Sequence, residues 1–207
     1  MASLRGGVDE SALLPEERSL SEKMAPRRVA TFAGGRLAMR RALAGLGIVA
    51  GPIGSTSRGA PMLPEPVVGS LSHKEDVAVA LAALRAGTEN IGVDLEVEEP
   101  LRVDISRRVC RPEEIEELGR LGDIERDARV RVTFAVKEAI YKAIDPVVQR
   151  YVAFDEVALV FEGESRVAAV LHLDPPGGDF RMELAYERIG GPHGEAMIVA
   201  FSRATPR

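Results

Sequence analysis

Between Gly51 and Gly69 the chain carries prolines at 52, 61, 64 and 66 and glycines at 51, 54, 59 and 69. Proline lacks the N–H that regular structure needs, and glycine has the most backbone freedom to lose. Neither a helix nor a strand is therefore expected to run through this stretch. It reads as a loop. Upstream, Phe32, Met39, Leu43 and Leu46 fall on one helical stripe, with Gly45 and Gly47 where a helix would stop, which predicts a helix from Arg27 to Leu46. Pro15, followed by Glu16 and Glu17, suits the first turn of a shorter helix.

Downstream, residues 77 to 84 alternate Val, Ala and Leu and predict a strand. The break at 85–90 and the second run Ile91 to Glu96 read as its hairpin partner. Residues 113–121, entered through Pro112, and a longer piece from about Arg126 to Ile144 predict helices, the second closed by Asp145-Pro146. Runs at 157–161, 166–173, 180–186 and 196–201 have the length and composition of strands. The fold class is α+β, in two halves divided near Pro100: an N-terminal lobe over 1–100 and a C-terminal lobe over 101–207.

With 27 Lys+Arg against 32 Asp+Glu the net charge is −5, which argues against a chain built to hold nucleic-acid phosphates. The single cysteine, Cys110, excludes an internal disulfide framework and a thiolate zinc cluster. No run approaches the roughly 18 apolar residues of a spanning helix, and the acidic start, with Asp9, Glu10, Glu16 and Glu17, lacks a secretory pattern. The expectation is a cytoplasmic protein that engages neither membrane nor nucleic acid.

Three constellations could carry chemistry. In Gly92-Val93-Asp94-Leu95-Glu96 the carboxylates two apart share one strand face while Val93 and Leu95 point to the core. A hard divalent cation is one reason to keep two like charges together, and an exposed strand face is the other reading. On the long helix, Phe134, Glu138 and Lys142 are spaced by four and form one stripe, either a surface Glu–Lys pair or the edge of a packed cleft. Around Ser72-His73, the segment Gly69-Ser70-Leu71-Ser72-His73 lacks the glycine pattern of a hydrolase elbow. A hydroxyl and an imidazole there suit a phosphate ligand, with Arg36, Arg40 and Arg58 as charge-assisted donors.

In this order and spacing, Ser72-His73, Gly92-Val93-Asp94-Leu95-Glu96 and Phe134-x-x-Lys137-Glu138-Ala139-x-x-Lys142 resemble the 4'-phosphopantetheinyl transferase superfamily. The resemblance is to its longer, monomeric, broad-specificity branch of siderophore- and polyketide-associated bacterial members. Leu14-Pro15-Glu16, Phe32-Ala33-Gly34-Gly35-Arg36, Pro52-Ile53 and Arg58-Gly59-Ala60-Pro61 extend it upstream. The chain departs from those relatives at Leu63, usually Trp, at Pro66, usually Gly, and at Lys74, often Cys.

The resemblance implies a pseudo-dimer of two similar α+β lobes with the active site in the cleft between them. It implies a holo-acyl-carrier-protein-synthase type of enzyme that moves the phosphopantetheine arm of coenzyme A to a serine of an apo acyl or peptidyl carrier protein, releasing 3',5'-ADP. By the same resemblance Asp94, Glu96 and Glu138 would hold Mg²⁺, with Mn²⁺ as the alternative. Glu138 or a metal-polarised water would take the serine proton, and Lys142 would stabilise phosphate charge with Lys137 as a further contact. Arg36, Arg58 and His73 would meet the 3'-phosphate, Ser72 a nearby phosphate, and Arg40 is a weaker candidate. The rival readings are a Mg²⁺-dependent phosphoesterase or pyrophosphatase acting on coenzyme A or a nucleotide, and a non-catalytic homologue that binds coenzyme A or a carrier.

Overall fold

The computed structural model describes residues 2–207 except 6, 7, 9, 88, 164, 165 and 176, and only the backbone of residues 2–5. Pro15 opens α1 (Pro15–Ser21), where the Glu17 carboxylate accepts the N–H of Leu14 at 2.9 Å and so satisfies one donor of the helix start. Pro26 opens α2 (Pro26–Ala44), which ends at Gly45, with Gly47 beyond it at φ 76°. The α2 face bearing Phe32, Met39 and Leu43 is buried.

The strand β2 (Val67–Lys74) begins immediately after Pro66, inside the stretch expected to be loop. Gly69 therefore lies within a strand, and its missing side chain has a packing reason. A Cβ there would meet the Leu63 side chain at 2.6 Å and the Leu81 carbonyl at 2.8 Å. β2 forms a tight antiparallel hairpin with β3 (Val77–Leu84), and β1 (Ala2–Arg5) lies on the other edge of β3, giving the order β1-β3-β2. The hairpin expected between residues 77–84 and 91–96 does not form. β4 (Asn90–Val97) pairs antiparallel with β8 (Ala196–Pro206), and β7 (Phe180–Gly190) completes the sheet β4-β8-β7. A boundary at residue 100 would separate β4 from the strand it is bonded to.

After the short helices α3 (Ser106–Val109) and α4 (Pro112–Leu118), α5 (Asp123–Val148) runs through Asp145-Pro146 and stops at Gln149, which takes a left-handed conformation at φ 53°. Pro146 lies inside the last turn, and the helix continues for two residues past it. The hairpin of β5 (Val157–Phe161) and β6 (Val167–Leu171) follows.

Each lobe is thus a long helix laid on a three-stranded antiparallel sheet, α2 on β1-β3-β2 and α5 on β4-β8-β7, an α+β fold in two similar halves. A separate apolar cluster of Val77, Val79, Val93, Leu95, Met197 and Val199 joins the two sheets. Among the described residues no helix is long and apolar enough to cross a membrane.

Candidate active site

The two sheets meet at β2 and β4, which share no backbone ladder. Side chains bridge them instead. Val93 donates its N–H to Ser70 Oγ at 3.1 Å, and Ser72 Oγ donates to Asp94 Oδ1 at 2.8 Å. Lys74 Nζ donates to Glu96 Oε1 at 2.9 Å. Ser70, Ser72 and Lys74 of β2 meet Val93, Asp94 and Glu96 of β4 in ascending order, so the two strands run in the same direction, with Ser72–Asp94 and Lys74–Glu96 two residues apart on both.

Val93 and Leu95 are buried in the inter-sheet core, as the alternation predicts. Asp94 and Glu96 are buried as well, only 5% and 8% exposed, so the reading of a solvated strand face fails. Like charges held this close in a desolvated place need neutralising partners. Asp94 Oδ1 has Ser72 and, at 2.7 Å, the ammonium of Lys142, which also donates to the Val93 carbonyl at 3.0 Å. Asp94 Oδ2 is buried with no hydrogen-bond partner.

Helix α5 reaches this strand at one point of unusually close approach. A Cβ on Gly92 would lie 1.9 Å from the Ala139 carbonyl oxygen, so only glycine allows the helix backbone to seat there. Ser202 Oγ donates to the same carbonyl at 2.6 Å and ties the helix down. Ala139 is the neighbour of Glu138 and lies three residues before Lys142, so this contact sets how far both side chains stand from β4. Burial, reinforced by the charges of Asp94 and Glu96, pushes the Glu138 carboxyl above the usual carboxylate range against the pull of Lys142. Burial also raises Glu96, where Lys74 opposes it.

Beside this cluster lies a 490 Å³ cavity, within the range of small-molecule sites. Its polar wall is Glu138, Lys142, Asp145 and Arg58, and its apolar wall includes Met62, Leu63 and Leu71. Arg58, from the proline-rich loop, reaches across to α5. Its Nε and Nη2 donate to Asp145 Oδ1 at 2.7 and 2.5 Å, and Nη2 also donates to the Tyr141 hydroxyl at 2.9 Å. Nη1 of Arg58 makes no hydrogen bond among the described residues.

The other expected phosphate contacts are placed differently. Lys137 is 2% exposed, with its ammonium committed to Glu114 at 2.7 Å and to the carbonyls of Val109 and Phe154. It is a buried ion-pair partner and does not reach the cleft. Arg40 is held by both oxygens of Glu17 at 2.7 Å and by the Ala12 carbonyl, which ties its guanidinium to the segment at 12–17. Arg36, 4% exposed, donates to the Ile53 and Gly54 carbonyls and to Ser55 Oγ, and so pins the start of the loop that carries Arg58. Neither arginine lines the cavity, nor do Ser72 and His73. His73 Nε2 faces Arg28 Nη1 at 2.8 Å. A guanidinium can only donate, so the ring is neutral with its proton on Nδ1. Burial, with Arg28 and Lys142 adding to it, brings His73 down to about 4.

Sequence reasoning assigns no role to Tyr141, inside the helix, and reads Asp145 only as the end of that helix. Their spacing of three and seven from Glu138 was the available signal, since it puts them on one stripe. Lys74 and Arg28 carried no such signal.

Two family models match the sequence, one over each half of the chain. The first, the N-terminal domain of 4'-phosphopantetheinyl transferases, matches residues 16–83, and the second, the 4'-phosphopantetheinyl transferase superfamily, matches residues 90–200. The chain belongs to the 4'-phosphopantetheinyl transferase superfamily. The gap between the two matches coincides with the break between β3 and β4. Among curated superfamily members, the chain is 34% identical over 175 residues to 4'-phosphopantetheinyl transferase Svp of Streptomyces mobaraensis, covering 84% of this chain and 66% of that one. It is 35% identical over 191 residues to Npt of Nocardia iowensis, covering 87% and 82%, and 30% identical over 154 residues to PptT of Mycobacterium tuberculosis, covering 73% and 66%. The chain thus spans just under two thirds of the first and third of these superfamily relatives and most of the second.

The superfamily's carboxylates invite a test of whether a divalent cation fits. The donor set is all oxygen, as a hard cation requires. Asp94 Oδ2 is buried and unpartnered, and Glu138 makes no hydrogen bond among the described residues, so two ligating groups are ready to receive one. As the side chains stand, no three acidic or histidine residues among those described are drawn tightly enough to enclose an ion. The ammonium groups of Lys142 and Lys74 occupy Asp94 Oδ1 and Glu96. The residues fit a cation, with lysines as its stand-ins.

Proposed function

We propose that the chain transfers the 4'-phosphopantetheine arm of coenzyme A to a serine of an apo acyl or peptidyl carrier protein, with 3',5'-ADP as the other product. The observation that carries this reading is the convergence of Asp94, Glu96 and Glu138, from a strand and a helix remote in sequence, beside a cavity walled by Lys142 and Arg58. The functional division then falls between β3 and β4, with the reacting groups held where the lobes meet. Both walls of the cleft come from one chain, which supports action as a monomer.

In the reaction the serine oxygen bonds to the phosphorus that carries pantetheine. The bond from that phosphorus to the bridging oxygen breaks, and its electron pair leaves on 3',5'-ADP. The diphosphate is anionic and repels an incoming alkoxide, so its charge must be met. Asp94, Glu96 and Glu138 would hold a divalent cation, Mg²⁺ in our reading, which when bound withdraws charge from the diphosphate. Lys142, on the cavity wall, supplies a second positive charge to the leaving oxygens. Arg58 is held by Asp145 and Tyr141 with one edge of its guanidinium free, which suits it to an anionic group of the donor. Glu138 takes the serine proton. Its place on the cavity wall lets it meet the incoming hydroxyl.

The test is mass spectrometry of an apo carrier protein incubated with the chain, coenzyme A and Mg²⁺. The expected result is a carrier heavier by one phosphopantetheine, and Glu138→Gln should abolish the gain while the circular dichroism spectrum stays unchanged. Release of 3',5'-ADP at the same rate with no carrier present would refute a transferase and indicate a hydrolase.

A further inference from the structure

The three carboxylates are not equally free. Asp94 keeps one buried oxygen unpartnered, and Glu138 has no hydrogen bond among the described residues. Glu96 is different: both its oxygens face one ammonium, with Lys74 Nζ at 2.9 Å from Oε1 and 2.7 Å from Oε2. The pair is in register with the Ser72–Asp94 bridge, two residues further along both strands, so Lys74 is aimed at Glu96 by the strands themselves. The Glu96 side chain is 10% exposed and that of Lys74 42%. The carboxylate cannot turn to water, whereas the lysine can swing out into solvent.

A carboxylate whose two oxygens both face an ammonium is a poorer ligand for a divalent ion, since the two cations compete for its lone pairs and its charge. Counting Lys74 and Lys142 against Asp94, Glu96 and Glu138 leaves the cluster with one negative charge. Without Lys74 it has two. We infer that Lys74 is a built-in competitor for Glu96, an ammonium that a divalent cation must displace, and that it holds the metal affinity of this chain below what three free carboxylates would give. This rests on the transferase reading only in taking the cluster as the cation site. Lys74 is a positioning residue here and touches no substrate.

The experiment titrates the full chain, without coenzyme A or carrier, with Mn²⁺ alone and reads free Mn²⁺ by its electron paramagnetic resonance signal. Lys74→Met should bind Mn²⁺ about fivefold or more tightly than the unaltered chain, and Lys74→Arg, which keeps a cation on Glu96, should match the unaltered chain. In a Glu96→Gln background the gain from Lys74→Met should shrink to less than about twofold, because nothing is left to compete for. An equal gain in both backgrounds would show a lysine acting only through its field and would overturn the competition. Unchanged or weaker binding by Lys74→Met in the natural background would overturn it too. Asp94→Asn should weaken Mn²⁺ binding in every background. If it does not, the ion sits elsewhere and the cation assignment falls with the inference, while the carrier mass measurement decides the transfer activity separately.

Discussion

Gly92 is the position where one added carbon should do most damage for its size. A Cβ would sit 1.9 Å from the Ala139 carbonyl oxygen, 3.0 Å from its carbon and 2.7 Å from Ser202 Oγ. Side-chain carbons are essentially never found within 3.0 Å of such atoms, so Gly92→Ala requires α5 and β4 to separate locally by about 1.1 Å. Neither side can yield cheaply, because the obstruction is helix backbone and Ala139, Ile140 and Ala143 around it are fully buried. Overpacking of this kind costs about 1–3 kcal/mol. The second consequence is functional. Glu138 and Lys142 move with the helix while Asp94 stays with the strand, and a displacement near 1 Å at a reacting centre can cost about 100-fold in rate. Urea unfolding should show a lower midpoint with an unchanged slope, and carrier modification at saturating coenzyme A should fall by about two orders of magnitude. A Gly92→Ala protein within about 0.5 kcal/mol of the parent and fully active would refute the close approach.

Three further outcomes follow from the same geometry. Lys137→Met leaves Glu114 buried without its counter-charge, although that carboxylate keeps the N–H groups of Arg111 and Leu159, and should cost about 3–5 kcal/mol in urea unfolding; a loss below 1 kcal/mol, by this estimate, would contradict the burial of the pair. Arg58→Ala should raise KM for coenzyme A much more than for dephospho-coenzyme A if its free edge meets the 3'-phosphate, and an equal rise would move that arginine to another part of the donor. His73 should remain neutral through the physiological range and protonate only at about 4, its folded value being depressed by burial, so an NMR titration with a midpoint near the ordinary 6.5 would show a solvated ring.

The acidic strand and the lysine-bearing helix were legible because they depend on local periodicity. Two residues apart on a strand and four apart on a helix fix a shared face whatever the rest of the chain does. The fate of Lys137 was not legible, because its acceptors come from residues 109, 114 and 154, which only the tertiary fold brings together. Arg40 misled for the same reason: its partners Glu17 and Ala12 lie on an earlier segment. The strand pairing went astray because an alternating run such as Ile91 to Glu96 carries no label for its partner, and proximity in sequence pointed to β3. Pro146 and Gly69 each look like terminators, yet the helix runs two residues past the one and the other answers a crowded neighbour.

The partnership of β4 with β8 has a consequence for synthesis. Residues 90–97 leave the ribosome about a hundred residues before 196–206 do, so the strand holding Asp94 and Glu96 must wait for its mate while the hairpin before it can already close. A nascent chain stalled before β8 would display two desolvation-prone acids on an unpaired edge, and would be expected to lean on chaperones until translation delivers the missing strand.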